Sequence, residues 1–236
     1  MRRLLKFIAP KSFNDGLSKC NNLGKNLIIK NKVNRFLDLG CADGEFTLKF
    51  AKVLRPEEIY GVEIVDKYCN EAKRKGVKCV KFDLNSKWKF DNNYFDFILS
   101  SQNIEHLHNT RLYMEECYRC LKKGGQLLIL TENLASWINI WSLIFGWQPF
   151  STTLINGWSI GNPCIWHSQK PSNNTGKTSH VRVLAFKGLK DIMQHIGLKD
   201  VQVYSRGYLP FWGKLSDILC RVDKKHGHFL IGTGIK

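Results

Sequence analysis

The chain reads as an α/β fold, a mostly parallel sheet with helices on both faces. Short apolar runs alternate with helix-like runs from residue 35 to residue 131. Turns rich in glycine separate many of these runs. The first run, Phe36-Leu37-Asp38-Leu39, leads into Gly40-Cys41-Ala42-Asp43-Gly44, and a helix-like stretch starts at Glu45. A strand, a tight turn and a helix N-terminus in that order bring backbone N–H groups close to any ligand placed there.

The elements follow in order within one expected domain, residues 1–236. Residues 1–34 form a basic N-terminal arm with a leading helix over 11–30. The half from 35 to 131 holds strands at 35–39, 59–63, 77–82, 95–100 and 125–131, with helices at 45–54, 66–75 and 110–121. Residues 132–179 form an uncharged, tryptophan-rich insertion, helical over 134–147 and irregular over 148–174. From 180 to 236 a helix over 181–197 precedes closing strands at 201–204 and 229–235. A long polar-aromatic link, 207–228, joins those two strands.

The strand ends carry the chemistry. Glu63 ends the second run, nineteen residues after Gly44, where an acid grips ribose hydroxyls in dinucleotide-type folds. Asp83-Leu84 follows the third run. Ser100-Ser101 ends the fourth, and Glu105-His106-Leu107 comes next. Leu121-Lys122-Lys123-Gly124-Gly125 leads into the fifth. In this order and spacing the chain resembles class I S-adenosylmethionine-dependent methyltransferases, closely over 33–131 and loosely over 180–236. It departs at Ala42, where many members carry glycine.

The resemblance implies a Rossmann-like seven-stranded sheet whose last strand is antiparallel, with the aromatic-rich insertion after the fifth strand. It implies S-adenosyl-L-methionine as cofactor. Asp38, Gly40, Cys41 and Gly44 fall on its methionine and ribose side, Glu63 and Ile64 at the ribose, Asp83 and Leu84 around the adenine, and Ser100 beneath it. His106 and His180 are the candidate catalytic bases. Gln102, Trp137, Trp141, His167 and Arg182 are the candidate acceptor contacts. The chain is similar here to ubiquinone- and menaquinone-pathway methyltransferases, some of which carry Glu-x-x-Glu-His and hold a divalent ion. Gln102 replaces the first of those acids, and hard cations prefer charged oxygen ligands, so no metal is expected.

Composition narrows the partners. Net charge is +16, split as +8 over residues 1–35, +1 over 36–125, −1 over 126–169 and +8 over 170–236. An anionic partner is compatible with this, but 26 Lys against 10 Arg is not the balance of bidentate phosphate recognition. Nucleic acid is therefore the alternative acceptor to a small-molecule, glycan or lipid-linked one. Non-catalytic use of the same scaffold is a further alternative. The 37 residues between Glu132 and Lys170 contain no charged side chain and hold five of seven tryptophans. They are expected to cover the acceptor pocket and exclude water from an in-line methyl transfer, most readily to oxygen. The same tryptophans and basic ends are compatible with peripheral membrane contact. No transmembrane segment or signal peptide is expected, and the expected location is cytoplasmic, with peripheral contact at a membrane surface left open. Cys117-x-x-Cys120 has no second ligand pair, so a zinc site is not expected. Pro163-Cys164 lies in the insertion rather than after the fourth strand, where cytosine-C5 enzymes carry their nucleophile.

Overall fold

The computed structural model describes residues 2–29, 31–155, 158–163 and 179–236, with side chains from Pro10 onward. Helix α1 (Arg2–Asn26) leads, followed by β1 (Arg35–Leu39), α2 (Glu45–Leu54), β2 (Glu58–Val62), α3 (Asp66–Arg74), β3 (Lys78–Val80) and β4 (Phe95–Ser101). Next come α4 (Thr110–Cys120), β5 (Leu121–Glu132), α5 (Trp137–Ile144) and a small hairpin of β6 (Leu154–Ile155) and β7 (Trp158–Ser159). The chain closes with α6 (Phe186–His195), β8 (Lys199–Arg206), α7 (Gly213–Val222) and β9 (Phe229–Ile235).

Seven strands form one sheet in the order β3-β2-β1-β4-β5-β9-β8. β1, β2, β3, β4 and β5 run parallel, and β9 lies antiparallel between β5 and β8. The expected seven-stranded sheet with an antiparallel last strand is what the chain forms. Alternation along the strands divides the core. Leu37, Leu39, Ile98, Leu127 and Ile129 pack under α4 and α6. Phe36, Phe97, Leu99, Leu128, Leu130 and Ile231 pack under α1 and α2. The order of strands reverses between β1 and β4, and that switch point opens a crevice at their carboxyl ends.

Element boundaries differ where tertiary contacts override local pattern. α1 extends from Arg2 to Asn26, so the leading helix begins before residue 11. β3 has three residues because it is an edge strand with a single neighbour. α5 is shorter than 134–147, since Leu134 N is bonded to Leu184 O and Gly146 takes a left-handed φ of 68° just after the helix. α6 starts at Phe186 because Val181 N and Arg182 N are committed to the carbonyl of Glu105, at 2.7 and 3.1 Å. The link over 207–228 contains α7, whose buried residues are Ser216 and Cys220. A helix that turns small polar groups inward gives no apolar stripe to read as a core face. The described cysteines are all free and buried, with Cys117 and Cys120 inside the apolar core.

α1 is tied to the C-terminal region. Lys19 Nζ meets Asp217 at 2.8 Å and donates to Gly213 O at 2.7 Å, and Ser12 Oγ donates to Phe211 O at 2.7 Å. The closest approach is Gly16 against Gly207, where a Cβ on Gly16 would lie 2.8 Å from the Gly207 Cα. Backbone cannot yield as a side chain does. Gly16→Ala is therefore expected to destabilise the fold by about 1–3 kcal/mol in urea unfolding. Gly24→Ala should be near neutral. Its Cβ meets only Leu130 and Leu128 methyls at 3.1–3.5 Å, and alanine regains roughly 1 kcal/mol of helix propensity.

Candidate active site

The crevice at the strand ends holds a cavity of about 350 Å³. It is built from the loop after β1 (Gly40, Ala42), the end of β2 (Glu63, Ile64), the segment after β3 (Asp83, Leu84) and the segment after β4 (Gln102, Asn103, His106). Seven of the sequence-derived candidates meet there: Gly40, Glu63, Ile64, Asp83, Leu84, Gln102 and His106.

The loop is held from beneath. Gly40 N and Cys41 N donate to Val62 O at 2.9 and 3.0 Å. Gly40 has φ 76°, and a Cβ there would meet the Asn103 side chain at 3.1 Å. Glu63 is fixed by two backbone donors, Ala42 N on Oε2 at 3.1 Å and Val65 N on Oε1 at 2.8 Å. Each oxygen keeps a lone pair for a ligand hydroxyl. Asp83 Oδ1 accepts from Asn85 N and Nδ2, both at 2.9 Å. Gln102 takes a left-handed φ of 48°, donates its N–H to Leu130 O at 2.7 Å, and leaves its buried Nε2 with no hydrogen-bond partner. A strained residue with an unsatisfied donor at a cavity wall is a place where a ligand acceptor would fit.

Other candidates act from behind. Asp38 is buried and accepts from Thr47 Oγ1 at 2.6 Å, so it braces the start of α2. Burial raises its carboxyl to about 7, against the pull of the Thr47 bond. Cys41 packs its sulfur beside Cys79 at 3.7 Å, over Gly61, where a Cβ would come within 2.5 Å of that sulfur. Gly44 sits against Ala72 and Val77. Ser100 accepts from Tyr113 OH at 2.8 Å, and Asn103 Nδ2 donates to that phenol at 3.3 Å.

Beyond His106 lies a second cluster that sequence spacing does not announce. Glu105 is fully buried; its Oε2 accepts from Thr131 Oγ1 at 2.8 Å, and its Oε1 has no hydrogen-bond partner. Glu132, at the end of β5, places Oε2 3.8 Å from both His180 Nδ1 and His228 Nε2. His180 Nδ1 lies 2.6 Å from Ser151 O. A carbonyl only accepts, so Nδ1 carries the proton and Nε2 is the basic nitrogen. The His106 and His180 rings are edge to face at 4.8 Å. Burial pushes Glu105 and Glu132 up to about 7. Burial and the neighbouring His180 lower His106. Ligand atoms of Glu105, His106 and His180 lie within 4.8 Å of one another.

Glu132 and His228 were absent from the sequence-derived candidates. The one legible signal was that Glu132 is the only charged residue from 126 to 169. Arg182 donates to Thr110 Oγ1 at 3.0 Å. Trp137 Nε1 donates to Asp223 Oδ2 at 2.7 Å, and Trp141 is exposed; neither lines the cavity. His167 and much of the expected cover lie outside the described residues.

Residues 37–129 match a family model described as a methyltransferase domain. An uncharacterized methyltransferase of Schizosaccharomyces pombe is 31% identical over 118 residues, 44% of this chain and 42% of the relative. The mitochondrial ubiquinone biosynthesis O-methyltransferase of Rattus norvegicus is 33% identical over 54 residues, 23% of this chain and 16% of the relative. The chain thus spans less than half the length of either relative. A Thermotoga maritima structure described as an S-adenosylmethionine-dependent methyltransferase, possible histamine N-methyltransferase, superposes with TM-score 0.61 at 18% identity, covering 95% of this chain and 91% of that one.

The raised carboxyls set a pH dependence. A folded-state pKa of about 7 for Glu132, against an ordinary 4.5, means the folded protein keeps a proton that the unfolded chain has released. Stability therefore falls as pH rises from about 4.5 to about 7. Glu132→Gln is expected to melt higher than the parent at about pH 8 and to lose that advantage near pH 5. The gain is several degrees, from a ceiling of about 3 kcal/mol and roughly 2–4 °C per kcal/mol. Thermal melts across pH check this.

Proposed function

We propose that this chain, whose residues 37–129 match a methyltransferase domain, is a class I S-adenosylmethionine-dependent enzyme that transfers a methyl group to an acceptor oxygen beside the Glu105–His180 cluster. The acceptor is a small molecule, free or linked to a glycan or lipid. The observation that carries the reading is the cavity at the switch point with Glu63 clamped by two backbone donors.

The residues present fit the cofactor. Glu63 would take the ribose hydroxyls, Asp83 and Leu84 would border the adenine, and Gln102 Nε2 would offer its unsatisfied donor to an anionic or carbonyl oxygen. Gly40 lets the loop pass close to Asn103 on the cavity wall, where a Cβ would meet that side chain at 3.1 Å. When bound, S-adenosylmethionine supplies an electrophilic methyl on a sulfonium, so the protein's tasks are to align the acceptor, exclude water and remove a proton.

A hydroxyl acceptor must lose its proton as it attacks. His180 Nε2 suits that role because Ser151 O fixes the other tautomer position. His106, lowered by burial and by the neighbouring His180, is the weaker of the two candidate bases. Glu132, 3.8 Å from His180 Nδ1, would stabilise the imidazolium formed when His180 takes a proton. A nitrogen acceptor is the second reading. It is favoured by the buried Glu105 Oε1, which has no hydrogen-bond partner and would pair with an ammonium group.

Titration calorimetry with S-adenosylmethionine should give saturable binding, with Glu63→Ala weakening it about 10–100-fold. No binding, or equal binding by Glu63→Ala, overturns the cofactor site. With an acceptor found by screening for adenosylhomocysteine release, His180→Ala should lower kcat by about 10²–10⁴ while leaving cofactor affinity unchanged. Activity should survive prolonged EDTA treatment. Loss on chelation with recovery on adding a divalent cation would replace the histidine base by a metal at Glu105, His106 and His180.

A further inference from the structure

Two short helices present the wrong faces to water. α5 buries Asn139 and Ser142 and exposes Trp141, Leu143 and Ile144, with Phe145 exposed just after it. α7 buries Ser216 and Cys220 and exposes Leu215, Ile218 and Val222, the last at 82%. The spacing i, i+3, i+7 puts the three α7 residues on one stripe, opposite the buried pair. An amphipathic helix that only had to pack on this protein would be turned the other way.

The two faces belong to one surface. Trp137, at the start of α5, donates to Asp223, just past the end of α7, and its backbone N donates to His226 O at 3.3 Å. Trp137 stacks toward Trp141 with ring centroids 6.3 Å apart, and Trp141 toward Phe145 at 6.3 Å. The β6–β7 hairpin adds Ile155 and Trp158, both exposed. Its flank is fastened to the inner side of α5, where Asn162 Nδ2 donates to Ser142 Oγ at 3.0 Å.

The border of this surface is basic. Lys214, Arg221, Lys224 and Lys225 are exposed on α7 and just beyond it. The nearby acids are engaged: Asp217 by Lys19 at 2.8 Å, and Asp223 by Trp137, Tyr208 and His226. The described residues from 133 to 163 carry no charged side chain that would interrupt the apolar part. An uncharged aromatic centre with a cationic rim is the complement of an anionic lipid surface, in which tryptophan lies at the headgroup level and lysine meets phosphate. A second copy of the chain would instead bring two basic rims together. Among the described residues no helix is long and apolar enough to cross a membrane.

We propose that α5, the β6–β7 hairpin and α7 form a docking face that seats the protein on an anionic bilayer surface. The proposal is independent of the assignment of the methyl acceptor. In sedimentation with sucrose-loaded vesicles, the full chain should pellet with phosphatidylcholine–phosphatidylglycerol mixtures and remain in the supernatant with phosphatidylcholine alone. Ile144→Asp with Ile218→Asp should lower vesicle binding at least about tenfold. Those residues are exposed, so the melting temperature and S-adenosylmethionine affinity should be unchanged. Neutralising Lys214, Arg221, Lys224 and Lys225 to Gln should weaken binding by about fivefold per residue. Failure to pellet with anionic vesicles, equal pelleting with neutral ones, or an unaffected aspartate variant overturns the proposal. So does a dimer in sedimentation velocity that the same aspartate substitutions dissociate, because the face would then belong to a second copy.

Discussion

Burying a parallel sheet on both faces constrains everything else in this chain. β1, β4 and β5 are buried over most of their length, with apolar residues at their centres, because both of their faces are covered. Their registers run in step from Phe36–Phe97 to Leu39–Ser100, and from Phe97–Gln126 to Ser101–Leu130. All three strands therefore stop near one edge, and that edge is where the chain can place polar side chains. Asp38 sits near the end of β1, Ser100 and Gln102 at the end of β4, and Glu132 at the end of β5. The carboxyls are taken out of water there, which is why Asp38 and Glu132 are both raised to about 7. Conformational stability is given up at the edge where ligand groups can supply the missing partners.

This explains which parts of the site were legible in the sequence. Gly40, Gly44 and Glu63 lie within one strand-turn-helix-strand unit, so fixed spacing carries their geometry. Asp83, Leu84 and His106 follow strand ends that hydrophobic runs locate directly. Glu132 and His228 are 96 positions apart in the chain and meet only because β9 pairs antiparallel with β5, with Glu132 opposite Phe229. No local pattern encodes that pairing. The same holds for Glu105, whose carbonyl captures Val181 and Arg182 and so delays the start of α6.

The tryptophans of the insertion mark a different limit. Trp137 and Trp141 read as acceptor contacts because aromatic residues in an uncharged stretch suit a covered pocket. Periodicity gives the width of an apolar face but not what it faces. In α5 and α7 the inner positions are Asn139, Ser142, Ser216 and Cys220, and the sheet below was already covered by α1, α4 and α6. The apolar sides had no interior left to occupy.

α5 links the site to this outer face. Asn139 Nδ2 donates to Ser151 Oγ at 3.0 Å, and Ser151 N donates to Asn139 Oδ1 at 3.1 Å. The carbonyl of Ser151 accepts from His180, and its side chain bonds Glu132, easing the carboxyl back toward ionisation. The residues that fix the tautomer of His180 are therefore held by the inner side of α5. That side must be polar to hold them, since an apolar residue at Asn139 would leave Ser151 and the carbonyl of Asn133 without these donors. Once the inner side is polar, the remaining positions of an uncharged helix are apolar and point outward. The exposed tryptophan surface and the residues that brace the buried histidine–carboxylate cluster are therefore two sides of one helix.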